Sequence, residues 1–137
     1  MEILDIPFVK KVGIDKNQDG NLTLSFVASN QNHLQTMHAS ALFALAETAS
    51  GEALLAQFPH LSGKVAPVLR DSNIKFKRPA TNGVTAYSSI TDESAVKFES
   101  QFGKKGRSSI KVDVVIKDID SNVVFTGEFN WFLQGIE

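Results

Sequence analysis

The chain has 137 residues, 42% hydrophobic and 21% charged, with a formal net charge of −1 and no cysteine. That length predicts one domain, residues 1–137, with a core of its own. Near-neutral charge supplies no field to recruit nucleic acid or an anionic membrane, and the lack of cysteine excludes disulfides, thiolate metal sites and a thiol nucleophile.

The opening run, MEILDIPFVKKVG, carries acids and no continuous apolar stretch, unlike a signal peptide. No segment approaches the ~18–20 apolar residues of a membrane span, so the expectation is a soluble cytoplasmic protein without a membrane partner. KVGIDKNQDGNLTLSFVAS reads as two short extended runs around a turn at Asn17–Gly20, with Leu22, Leu24 and Phe26 alternating against Thr23, Ser25 and Val27.

From residue 38 or 39 to about 57 the pattern changes to helix. The run is rich in Ala and Leu, lacks proline, and has Thr48 as its one β-branched residue. Thr36 or His38 lies near its start and Pro59 just past its end. Apolar residues fall on nearly every face, which marks a buried helix.

Strand patterns return after residue 64. VAPVLRDSNIKFKRP alternates to Pro79, and NGVTAYSSITDES begins at an Asn82-Gly83 turn. In AVKFESQFGKKGRSSIKVDVVIKD, Val96, Phe98 and Phe102 run to Gly103–Gly106, and Ile110 to Ile116 run away from it, as in a hairpin. SNVVFTGEFNWFLQ follows a turn at Asp118–Asn122. Four long runs joined by short turns predict an antiparallel meander. The whole is α+β: a long central helix wrapped by a curved antiparallel sheet.

Glu47 is out of place in a helix built for burial. An unpaired buried carboxylate is costly and has a raised pKa, so it either finds a partner or faces a cleft. Helical geometry puts it on a face with Phe43, Ala44, Ser50, Gly51 and Leu54, where Ser50 and Gly51 are small enough to line a groove. A structural hydrogen bond or a solvent-facing side chain is the plainer alternative. Other chemistry lacks its residues: there is no GxGxxG, P-loop or Gly-x-Ser-x-Gly, and His33, His38 and His60 have no metal-ligand spacing with acids. Phe129, Trp131 and Phe132 suit sheet core or interface.

The segment NHLQTMHASALFALAETASGEALL resembles the signature of the hotdog-fold acyl-CoA thioesterases of the phenylacetate and 4-hydroxybenzoyl-CoA types. His38-Ala39-Ser40 stands where that family has His-Gly-Gly, with Asn32 at the matching distance before it. Leu45-Ala46-Glu47-Thr48 stands where the family carboxylate lies. NIKFKRPATNGVTAYSSI is similar to the family's following strand, its Arg-Pro-Ala and the next strand.

The resemblance implies a hotdog fold and a homodimer or tetramer with acyl-CoA at the interface. The thioester carbonyl would point at the helix N-terminus, where the N–H of Ala39, with Ser40 close behind, stabilises the oxyanion. Glu47 of the facing chain would be general base or nucleophile. Asn32 would orient water or carbonyl, and His38 would position the turn or touch the carbonyl. Lys77, Arg78, Lys104 and Arg107, with Lys75 and Lys105, are candidates for the CoA phosphates, against the plainer reading of a solvated strand face and a hairpin tip. No cofactor beyond the substrate's own CoA and no metal is implied. Ala39-Ser40 in place of two glycines narrows the thioester channel, and leaves a second reading: a non-catalytic hotdog protein that binds acyl-CoA or another acyl ligand.

Overall fold

The computed structural model describes residues 2–136. Pro7 opens helix α1 (Pro7–Val12), where its missing N–H costs nothing, and Gly13 closes it at a φ of 89°. Lys11 and Val12 are therefore helical, not the start of an extended run. The extended pair is shorter than expected: β1 (Asp15–Lys16) and β2 (Leu22–Leu24). The turn between them stands as read, with Asn17 Oδ1 accepting from the N–H groups of Asp19 and Asn21.

Helix α2 (Ala39–Gln57) spans the expected residues, with His38 as its N-cap. Leu42, Leu45 and Leu54 are buried, each contributing roughly 1.5–3 kcal/mol of transfer free energy. Lys16 reaches Glu52 at 2.7 Å and ties β1 to the helix.

Strands β3 (Val65–Phe76) and β4 (Val84–Ser89) follow. The first arm and tip of the expected hairpin, 96–106, form helix α3 (Asp92–Lys105) with its closing Gly106 instead, while its second arm is a strand. The helix's signals are end signals that a period-two reading passes over. The Thr91 side chain accepts from the Ser94 N–H at 3.1 Å. Asp92 and Glu93 sit in the first turn, Lys104 and Lys105 in the last, and Gly106 closes the helix at a φ of 69°. Phe98 and Phe102 are one helical turn apart and stack on each other at 5.6 Å, while Val96 faces solvent. Lys104-Lys105-Gly106-Arg107 is thus a helix end, not a hairpin tip.

Strand β5 (Arg107–Asp118) alternates buried and outward residues with a period of two, and β6 (Val123–Gly135) does so from Phe125 on, after a buried Val124. Asp118 Oδ1 holds the turn between them by accepting from the N–H groups of Asp120 and Asn122.

The strands form one antiparallel six-stranded sheet in the order β1-β2-β4-β5-β6-β3. The last four strands are not a simple meander. β3 pairs with β6, not with β4, and α3 intervenes between β4 and β5. α2 lies across the concave face, packed on β4, β5, β6 and β2. At the inward position Gly127, a Cβ would come within 2.8 Å of the Ile74 side chain and 3.1 Å of Phe125, so glycine lets β3 and β6 close over the core. β3 is left as a long edge. On its inward side Ser72 and Phe76 are exposed and Ile74 is half-buried, beyond the reach of α2.

Candidate active site

The N-terminus of α2 is set by a tight loop. Asn32 Oδ1 accepts from the N–H groups of Leu34 and Thr36, at 2.8 and 3.1 Å, and its Nδ2 donates to Thr36 Oγ1 at 2.8 Å. Asn32 thus spends its amide on the loop's own shape. The neighbouring Asn30, which sequence reasoning passed over, is buried. Its side chain bonds the Val27 N–H and the Ser25 carbonyl, and its own carbonyl accepts from the His38 N–H at 2.8 Å. The Met37 N–H donates to the Ala80 carbonyl at 2.8 Å and joins the loop to the Pro79-Ala80 segment.

His38 Nδ1 accepts from the Ser40 N–H at 2.9 Å. This occupies one of the two expected oxyanion donors. Among the described residues the N–H of Ala39 donates to none. Ala39 is not at positive φ, so the alanine keeps an ordinary helical N1 geometry. Ala39 and Ser40 are both exposed.

Two depressions flank this helix end. One is bordered by Asn32, Ala39, Phe76, Lys77 and Arg78. The other lies between α1 and the helix and is bordered by Phe8, Lys11, Asn30, His38 and Ser40. Lys77 and Arg78 therefore sit beside the helix N-terminus. Lys104 and Arg107 do not: they lie at the other end of β5 from Asp118, whose carboxyl is held below its usual range chiefly by the Asn122 N–H and in part by Arg78. Arg107 and Asp118 are the two ends of this twelve-residue strand, roughly 35 Å apart. Within one chain the four cations form two groups, not one.

Glu47 is half-buried, two turns along α2, in the wall of a cavity of about 350 Å3. Ile6, Phe8 and Val9 close the cavity from the N-terminal segment, and Gly51, Leu55 and Trp131 form its other side. Burial raises the Glu47 pKa above the ordinary 4.5. The helix's other acid, Glu52, has Lys16 as partner; among the described residues Glu47 pairs with no cation.

Trp131 is held in place by a buried bond from Nε1 to Ser50 Oγ at 2.9 Å, and Ser50 Oγ donates in turn to the Glu47 carbonyl at 2.7 Å. The indole lies 3.3 Å from where a Cβ at Gly51 would be. Phe129 is core, against Phe43, while Phe132 is on the outer face under the Arg70 guanidinium at 4.1 Å. The place of Trp131 beside Glu47 had no signal in the sequence, because 81 residues separate Ser50 from it.

A single long helix cradled in a curved six-stranded antiparallel sheet is the hotdog fold. The chain belongs to the family described as a domain of unknown function, DUF4442, whose model matches residues 7–133. No curated protein matches the chain.

Solved structures share the architecture. A Pseudomonas aeruginosa protein of unknown function, described as a probable thioesterase, is similar over 98% of this chain and 91% of its own, with 24% identity and a TM-score of 0.80. The Escherichia coli PaaI protein of the phenylacetic acid degradation operon is similar over 97% and 86%, with 22% identity and a TM-score of 0.71. A Bacillus halodurans protein solved with CoA is similar over 92% and 74%, with 20% identity and a TM-score of 0.71. Among the described residues no helix is long and apolar enough to cross a membrane.

Proposed function

We propose that this protein is an acyl-CoA thioesterase that hydrolyses an acyl- or aryl-CoA thioester between two copies of the chain. The observation that carries the reading is one helix bearing both a free N1 amide at Ala39 and a desolvated, unpaired carboxylate at Glu47. The first stabilises negative charge developing on the thioester oxygen. The second is a stronger base than a hydrated glutamate. It takes a proton from the attacking water, or adds to the carbonyl carbon itself. On the first route the water oxygen bonds to the carbonyl carbon, the C–S bond breaks, and the sulfur leaves with the proton that Glu47 took, giving the carboxylic acid and the CoA thiol; on the second the sulfur leaves as thiolate, and the water that then hydrolyses the Glu47 anhydride supplies its proton.

The two groups are eight residues apart on one helix, about 12 Å along its axis. A reacting carbonyl needs each within about 3 Å. The carboxylate must therefore come from a second chain, and the unpaired β3 edge with its uncovered Ser72 and Phe76 is the face that a second copy would cover. Lys77 and Arg78, beside Ala39, are the cations placed to meet the CoA phosphates. His38 acts here as the cap that shapes the turn. Asn32 acts by holding the loop in front of it. The relatives described as thioesterase, and the one solved with CoA, support the same class.

One observation favours a second reading, a hotdog protein that binds acyl-CoA without turnover: the Ser40 N–H is taken by His38, so the oxyanion site has a single free donor. Thiol release across short, medium, long and aryl acyl-CoAs separates the two. The chain has no cysteine and adds no thiol background. Release from one class supports the enzyme; binding without release across the panel supports the carrier.

A further inference from the structure

The cavity beside Glu47 is apolar, and its polar wall groups are already engaged. The Thr48 hydroxyl donates to the Ala44 carbonyl at 2.7 Å. The Trp131 N–H donates to Ser50 at 2.9 Å. Glu47 itself offers negative charge. A carboxylate buried here would lose its hydration with no cation in the wall to replace it, and would be repelled by Glu47. The N-terminal segment supplies the outer wall through Ile3, Ile6, Phe8 and Val9. Phe8 is 65% exposed for so large an apolar side chain, and it borders both this cavity and the depression at His38 and Ser40.

We propose that this cavity is the acyl-group site, that it selects medium-chain hydrocarbon acyl groups over dicarboxylic ones, and that Phe8 is the specificity-determining residue at its entrance. The inference rests on the thioesterase reading for the CoA moiety alone; the cavity's selectivity is a matter of binding. At about 350 Å3 the cavity lies within the ~300–1,000 Å3 range of small-molecule sites. Gly51 leaves room in the wall beside the indole, since a Cβ there would stand 3.3 Å from the benzo ring of Trp131.

Trp131 is the one tryptophan of the chain, so its emission reports the cavity directly. The test is a fluorescence titration of the whole protein with three non-hydrolysable probes: CoA, S-octyl-CoA, and the thioether of equal length ending in a carboxylate. S-octyl-CoA is expected to shift the emission and to bind about tenfold or more tighter than either other probe, a fraction of what burying eight carbons supplies. Phe8→Ala, at an exposed position with little bearing on folding, is expected to cut the octyl-to-CoA affinity ratio about threefold or more. Gly51→Leu is expected to abolish the octyl-dependent shift.

Equal binding of S-octyl-CoA and CoA overturns the proposal. So does a carboxylated probe that binds as well as the octyl one, or an affinity ratio unmoved by Phe8→Ala. Thiol release without an octyl preference would sink the acyl site and leave the thioesterase standing. An octyl preference without thiol release would do the reverse.

Discussion

In the proposed reaction Glu47 and Ala39 divide the chemistry between them, and each can be tested by a substitution that suits its place in the helix. Glu47→Gln keeps the shape and loses the base; thiol release should fall by about 10² or more. Because burial raises the Glu47 pKa above 4.5, the acidic limb of kcat/KM should lie above the ordinary glutamate range and vanish in the residual activity of Glu47→Gln. The stability consequence has the opposite sense. Between 4.5 and the raised value the folded protein holds a proton that the unfolded chain has released, so stability falls as pH rises through that window. Glu47→Gln should flatten that fall, which thermal melts from pH 4 to 8 would read.

Ala39→Pro is the matching deletion of the oxyanion donor. Proline lacks an N–H and suits the N1 position, and His38, at φ −62° and ψ 139°, already has the backbone that a following proline demands. The melting temperature should hold while kcat falls by roughly 10²–10³.

At the scale of elements, α3 and the strands around it depend on local punctuation. Thr91→Ala removes the α3 cap and should cost about 1 kcal/mol. Gly106→Ala forces a Cβ into the left-handed region at φ 69° and should cost about 1–2 kcal/mol. Urea titration of both variants would check this, and neither should alter the acyl-chain preference, since α3 lies away from the Glu47 cavity. A hairpin in this segment would instead leave Thr91→Ala silent. The β6 strand is tied to α2 through Trp131 and Ser50. Trp131→Phe removes the N–H that Ser50 Oγ accepts, while Ser50 keeps its bond to the Glu47 carbonyl, and it opens space where the indole's second ring packs beside Gly51; the two together should cost about 1–3 kcal/mol, read by urea titration.

At the scale of the whole molecule the unmet feature is the β3 edge. A twelve-residue edge strand with Phe76 53% exposed is a pairing surface. Sedimentation should find a dimer or larger assembly, and Ser72→Lys with Phe76→Glu, both at exposed positions, should yield monomers without thiol release. Mixing chains tests the shared site more sharply. Glu47→Gln and Ala39→Pro homodimers should each be inactive, but co-refolded together they should regain roughly a quarter of wild-type activity, because half the dimers carry one intact site. Failure of the mixture to recover would place both groups in one chain's site and remove the two-chain mechanism.

Much of this was legible along the chain because it depends on near neighbours. The composition and the absence of proline from residues 39 to 57 are enough to specify α2, and alternation specifies β5 and β6. A carboxylate in the midst of Ala and Leu marks Glu47, because burial of charge is unfavourable wherever the helix packs. The hairpin reading of 96–106 went astray where local patterns compete: Val96 and Phe98 fit a strand, and only the Thr91 cap, the charged ends and Gly106 tip the balance to helix. What tertiary structure alone decided is what depends on distant pairing. β3 sits against β6 because its inward residues fit the gap at Gly127. Lys77 and Arg78 come to the helix N-terminus while Lys104 and Arg107 are carried the length of a strand away. Trp131 closes the cavity beside Glu47 from the far end of the sequence, since a side chain's role in a site depends on what the fold brings against it.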